Sequence, residues 1–173
     1  GEIAMLRPYF GDSMDYSKIT INKNWSMFIF EGAAASFGGT MYVDTKDWSG
    51  DYSTSDLVTR TWFVHEMSHQ WQDQQGYNVF LNGVVLLTQG GSQYDYRLDS
   101  FNPISFYNYN IESQADMIAH HYAYMNAQDY EEFRKAIGNA DYLYLTQFGN
   151  ISALMQTVEE FINSSHDATW LPE

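Results

Sequence analysis

Apolar side chains recur at helical intervals between residues 57 and 75. Leu57, Val64, Met67 and Trp71 fall on one stripe, while Val58 and Trp62 lead onto the face that carries His65 and His69. The run Ser53-Thr54-Ser55-Asp56 offers N-cap residues upstream, Gly76 offers a C-terminal stop, and neither Pro nor Gly interrupts the stretch between. The pattern predicts a helix of about five turns, apolar on more than one side and therefore central. A second stripe, Ile111, Ala115, Ile118 and Tyr122, predicts another helix. Helical patterns follow at residues 129–137 and 152–163, broken by Gly138 and Gly149, and Trp170-Leu171-Pro172 reads as a tail.

Residues 1–54 read as irregular, with strand-like pieces at 18–21 and 40–43 and a Gly-rich turn or loop at 32–39 between them. Residues 40–43 are the candidate edge strand, placed to pair with an extended chain. Residues 77–108, with Gly83, Gly90-Gly91, Pro103 and many Tyr and Asn, read as a long structured connection that builds cleft walls. No repeat or low-complexity linker is present. The expected class is α+β, mostly helical with a small N-terminal β-sheet.

The first helix carries the run His65-Glu66-Met67-Ser68-His69. Helical spacing sets the two imidazoles one turn apart with a carboxylate beside them, the arrangement that holds zinc and supplies a base in metallopeptidases. The apolar flanks Trp62-Phe63-Val64 and Trp71 place the pair in an interior where ring nitrogens need partners. A shared metal meets that need, whereas an accidental motif on a surface helix would not require one.

Two histidines need a third protein ligand, and a catalytic site leaves the next position open. A metzincin would continue the helix with Gly and a third His, but Gln72 and Gln75 stand there. The gluzincin solution takes a Glu from a second helix, and Glu112 in Ile111-Glu112-Ser113-Gln114-Ala115-Asp116 has the right form. Glu112 and Asp116 share one helix face, so Glu112 is the expected ligand and Asp116 the acceptor for the other ring N–H of a ligand His. The alternatives are a solvated acidic face, or Asp116, Asp95 or Asp99 as the third ligand.

In this scheme Glu66 is the general base, taking a proton from the attacking water and delivering one to the leaving amine. A further donor for the developing oxyanion would be a Tyr or a His. Tyr94, Tyr96, Tyr107, Tyr109, His120, His121 and His166 are the candidates. His120, two turns beyond Glu112, reads as a supporting or surface residue, and His121, on the opposite side, as packed or exposed.

Composition then narrows the partners. The 173 residues are 45% hydrophobic and 17% aromatic, enough for one core and too few for two domains, so residues 1–173 are expected to form a single domain. Eight Lys and Arg against 22 Asp and Glu give a net charge of −14, which leaves no basic surface for a phosphate backbone and disfavours nucleic acid. Absence of Cys excludes disulfides and thiolate ligands. No apolar run reaches the length of a membrane span, and the start at Gly1-Glu2 lacks a basic-then-apolar leader, as expected of a domain cut from a longer protein.

The chain resembles the Vgr-related metallopeptidase domains found as C-terminal extensions of type VI secretion spike (VgrG) proteins. The resemblance rests on Leu6-Arg7-Pro8-Tyr9-Phe10-Gly11, Gly39-Thr40-Met41-Tyr42, the stretch from Phe63 to Gln72 with Gln75-Gly76, Tyr94-Asp95-Tyr96, and Ile111 to Asp116. It implies a zincin-like peptidase with one zinc ion per chain on His65, His69 and Glu112, and Glu66 as the base. It further implies an antibacterial toxin that leaves the producer by the type VI route without a signal peptide and acts in the target-cell periplasm. A spike, a protein or peptide substrate and a cognate immunity protein are the implied partners. A zinc amidase acting on cell-wall peptides, and a metal-stabilised binding domain without turnover, are the alternative readings.

Overall fold

The computed structural model describes residues 1–23, 35–79, 96, 98, 104–147 and 150–164. In chain order the elements are α1 (Glu2–Phe10), β1 (Thr20–Lys23), β2 (Ala35–Phe37), β3 (Thr40–Val43), α2 (Leu57–Gln74), α3 (Ile111–Asn126), α4 (Tyr130–Ile137), α5 (Asn139–Leu145) and α6 (Asn150–Ser164), with short 3-10 turns between some of them. The class is α+β: helices dominate and the three strands form one small sheet. None of the described helices is long and apolar enough to cross a membrane.

Both helices expected at 57–75 and around 111–122 are present, and their ends follow from local chemistry. Asp56 caps α2 by accepting from the Thr59 N–H at 2.8 Å. At the other end the Gly76 N–H reaches Asp73 O and the Tyr77 N–H reaches Gln72 O, both at 3.0 Å. Gly76 at φ 93° supplies the left-handed turn this closure requires. Asn110 caps α3 through the Ser113 N–H at 2.8 Å. The stripe Ile111, Ala115, Ile118 and Tyr122 is buried against the core, as are Leu57, Val64, Met67 and Trp71. Val58, by contrast, is exposed.

The N-terminal region departs from the expectation of irregular chain. Residues 2–10 form α1 despite Pro8, because Leu6, Tyr9 and Phe10 sit at i, i+3 and i+4 and all three are buried. Burying each such side chain contributes roughly 1.5–3 kcal/mol, comparable with the local cost of about 3 kcal/mol for an internal proline. Phe10 meets Trp71 of α2 and Phe161 of α6, and Phe161 in turn stacks on Phe106 at 4.5 Å. Tyr52, just before α2, stacks on Phe63 at 4.5 Å.

The sheet corrects two further expectations. Residues 35–37, read as part of a loop, form β2, and only Gly38-Gly39 turn the hairpin. Both glycines have positive φ, 60° and 74°, as a two-residue hairpin turn of this hand demands. A side chain at Gly39 would also meet the Lys18 carbonyl at 2.9 Å. The strand order is β1-β3-β2, with β3 parallel to β1 and antiparallel to β2. Residues 40–43 are therefore the central strand and not the edge. The apolar positions Met41 and Val43 that made this segment look like a strand are fully buried, as a central strand requires. The edge that packs on α2 is β2.

Candidate metal centre

α2 and α3 run antiparallel and side by side, with Gln72 near Ile111, His69 near Glu112, and His65 near both Glu112 and Asp116. His65, Glu66 and His69 of α2 and Glu112 and Asp116 of α3, two groups far apart along the chain, thereby come to one place. His65 Nε2 and His69 Nε2 lie 3.2 Å apart. Glu112 Oε2 lies 3.4 Å from the first and 3.3 Å from the second. Three donors around a tetrahedral zinc ion, each about 2.0–2.1 Å from it, are separated by about 3.3–3.4 Å. The donor set and its spacing fit a zinc ion, with one tetrahedral position left for another ligand.

Each imidazole is held in the tautomer that frees Nε2. His65 Nδ1–H donates to Asp116 Oδ1 at 2.8 Å. His69 Nδ1 lies 2.8 Å from Gln72 Oε1, and the Gln72 amide nitrogen is committed to Ile111 O at 2.9 Å and Gln114 Oε1 at 3.1 Å. The Gln72 oxygen must therefore accept, so His69 Nδ1 carries the proton. Gln114 is fixed in its turn by donating to Tyr109 O at 2.9 Å. Sequence reasoning used Gln72 only to exclude a third histidine ligand. Its position one turn beyond His69 was the available signal for this role.

The charges couple tightly. Burial disfavours an imidazolium at His65, but the neighbouring Asp116 carboxylate, then Glu112 and Glu66, outweigh it and hold its pKa well above the ordinary histidine value. Burial pushes Glu112 up, yet hydrogen bonds and charge from His65 and His69 more than reverse this and set it well below the usual carboxylate range. A cation and a proton thus compete for the same pocket.

Glu66 is buried beside this triangle, and its Oε2 accepts the Ser36 hydroxyl of β2 at 2.8 Å. No sequence signal pointed to Ser36, which stands 30 positions away between two apolar residues of a three-residue strand. His120, read as a supporting or surface residue, is buried on the Glu112–Asp116 side of α3, and Tyr96 OH lies 2.7 Å from its Nδ1. Burial and the Asp116 carboxylate keep the Tyr96 phenol protonated well above its ordinary range, so it donates to His120. Burial, with a smaller contribution from His65, lowers His120 to about 4 against the opposing Asp116 charge.

His121 points away from the centre and packs edge-on against Tyr9 of α1, with Tyr9 OH 3.0 Å from Nδ1. Tyr107 is committed to Ser164 at 2.8 Å. Tyr94, Asp95, Asp99 and His166 lie outside the described residues.

The type VI secretion system spike protein VgrG2b of Pseudomonas aeruginosa is 32% identical to this chain over 146 residues. The matched region covers 81% of this chain but only 14% of that protein, so the chain corresponds to a small part of the spike polypeptide. The solved effector domain of Pseudomonas aeruginosa VgrG2b aligns at a TM-score of 0.63 and 29% identity, covering 82% of this chain and 78% of that domain. This chain is related to the VgrG2b effector domain. Because 78% of the solved effector domain is matched, the likeness to it is nearly domain for domain. No protein-family model matches the sequence.

Proposed function

We propose that the chain is a zinc-dependent peptidase domain of a type VI secretion effector. The observation that carries this reading is the triangle of His65 Nε2, His69 Nε2 and Glu112 Oε2 at 3.2–3.4 Å, with Glu66 buried beside it. A structural zinc site closes with a fourth protein ligand and needs no base. Among the described residues, this group offers three ligands.

His65, His69 and Glu112 would hold the ion, which would supply Lewis-acid polarisation of a carbonyl and a lowered pKa for water. Asp116 and Gln72 keep the two imidazoles in register. Glu66 accepts the proton of the attacking water on a carboxylate oxygen and returns it to the leaving amine nitrogen, so that one amide C–N bond breaks and one C–O bond forms. Among the described strands β2 lies outermost and packs on α2, the position at which an extended peptide would add to the sheet.

The relatedness to a spike effector domain supports export by the type VI route with a spike as partner. Action in a neighbour's periplasm, with an immunity protein in the producer, completes the proposal. The test is to incubate the zinc-loaded domain with a panel of unfolded proteins and cell-wall stem peptides and to find new termini by mass spectrometry. The parent is expected to cut protein substrates, and Glu66→Gln to lose activity by at least about a hundredfold, within the usual range for a general base, while retaining zinc. Cleavage confined to stem peptides would make it a cell-wall amidase, and equal cleavage by the Glu66→Gln variant would contradict the base assignment.

A further inference from the structure

We propose that Ser36 is a positioning residue for Glu66, anchoring one carboxylate oxygen so that the other is presented to the attacking water. The proposal rests on the peptidase reading above. Ser36 lies in the middle of β2, 4% exposed, and its cross-strand partner Met41 is fully buried on the same face of the sheet. Its hydroxyl is thus held between strand and helix. Glu66, 7% exposed, receives that hydroxyl hydrogen on Oε2 at 2.8 Å, and its Oε1 has no hydrogen-bond partner among the described residues.

A glutamate carboxylate rotates easily about its last torsion, so an unanchored Glu66 would spread over several orientations. One donor removes that freedom and leaves a single oxygen to take the proton. A misplacement of about 1 Å at a reacting group costs up to about a hundredfold in rate, so this anchoring has a measurable consequence. The donor sits on the strand that packs on α2.

Among the described residues Ser36 makes no hydrogen bond to His65, His69 or Glu112, and its loss should leave zinc affinity unchanged. The experiment compares the zinc-loaded parent with Ser36→Ala and Ser36→Thr in three readouts: zinc affinity, kcat and KM on a cleaved peptide, and the Glu66 side chain in crystal structures. Ser36→Ala is expected to keep its zinc and its KM, to lose about tenfold or more in kcat, and to show Glu66 in more than one orientation. Ser36→Thr, which keeps the hydroxyl, should restore both rate and orientation. A parental kcat in Ser36→Ala, or a single unchanged Glu66 orientation in it, overturns the proposal. A parent that cleaves nothing would sink the peptidase reading instead, while the orientation of Glu66 in the variants would still decide whether Ser36 anchors it.

Discussion

In the proposed metal site His65 and His69 have different supports. A carboxylate, Asp116, holds the first, and a neutral amide, Gln72, holds the second. Asp116 also raises the basicity of its imidazole, so Asp116→Asn, which keeps an acceptor and removes the charge, should weaken zinc about ten- to a hundredfold. Competition with a chelating dye measures this, and an unchanged affinity would show that Asp116 does not support the ligand His65 in this way. The His65, Glu66, His69, Glu112 and Asp116 set was legible because the helix period converts spacing into a shared face. Gln72 was legible in principle by the same rule. Ser36 was not, since its contact depends on how a three-residue strand lies over a helix, and nothing in Ala35-Ser36-Phe37 encodes that.

The helices around the site were readable where a stripe and its caps agreed, as in α2 and α3, and α4 and α6 also follow the expected segments. α1 was missed because Pro8 argues against a helix locally and only the packing of Leu6, Tyr9 and Phe10 argues for it. The strand order was missed because a buried central strand and a half-buried edge differ in their neighbours more than in their own residues. α1 and α3 are joined by a buried pair, Tyr9 and His121, whose Nε2 finds no partner among the described residues. Burial lowers the His121 pKa to about 4 from an ordinary 6.5. Between those values the unfolded chain binds the proton and the folded chain does not, so His121 costs stability as pH falls from about 6.5 towards 4, with a slope of up to about 1.4 kcal/mol per pH unit. His121→Asn should therefore show a shallower fall in Tm across that window than the parent. Parallel curves would show that His121 does not stay neutral in the folded protein.

Across the whole molecule, the core is assembled from distant aromatic residues, with Phe10, Trp71, Phe106 and Phe161 tying α1, α2 and α6 together. Beside this scaffold α2 and α3 pack directly on each other, which brings the three donors together. Cysteine is absent and the net charge is −14, so a bound cation at the centre would be the one covalent-like tie between these two helices. Metal content is therefore the most direct test, measured per chain by elemental analysis on protein purified without chelator or metal-affinity resin, for the parent and for Glu112→Ala together. One zinc per chain in the parent and its loss in the variant is the predicted result. A parent that takes up no metal even when zinc is offered would contradict the metal centre and the peptidase chemistry built on it.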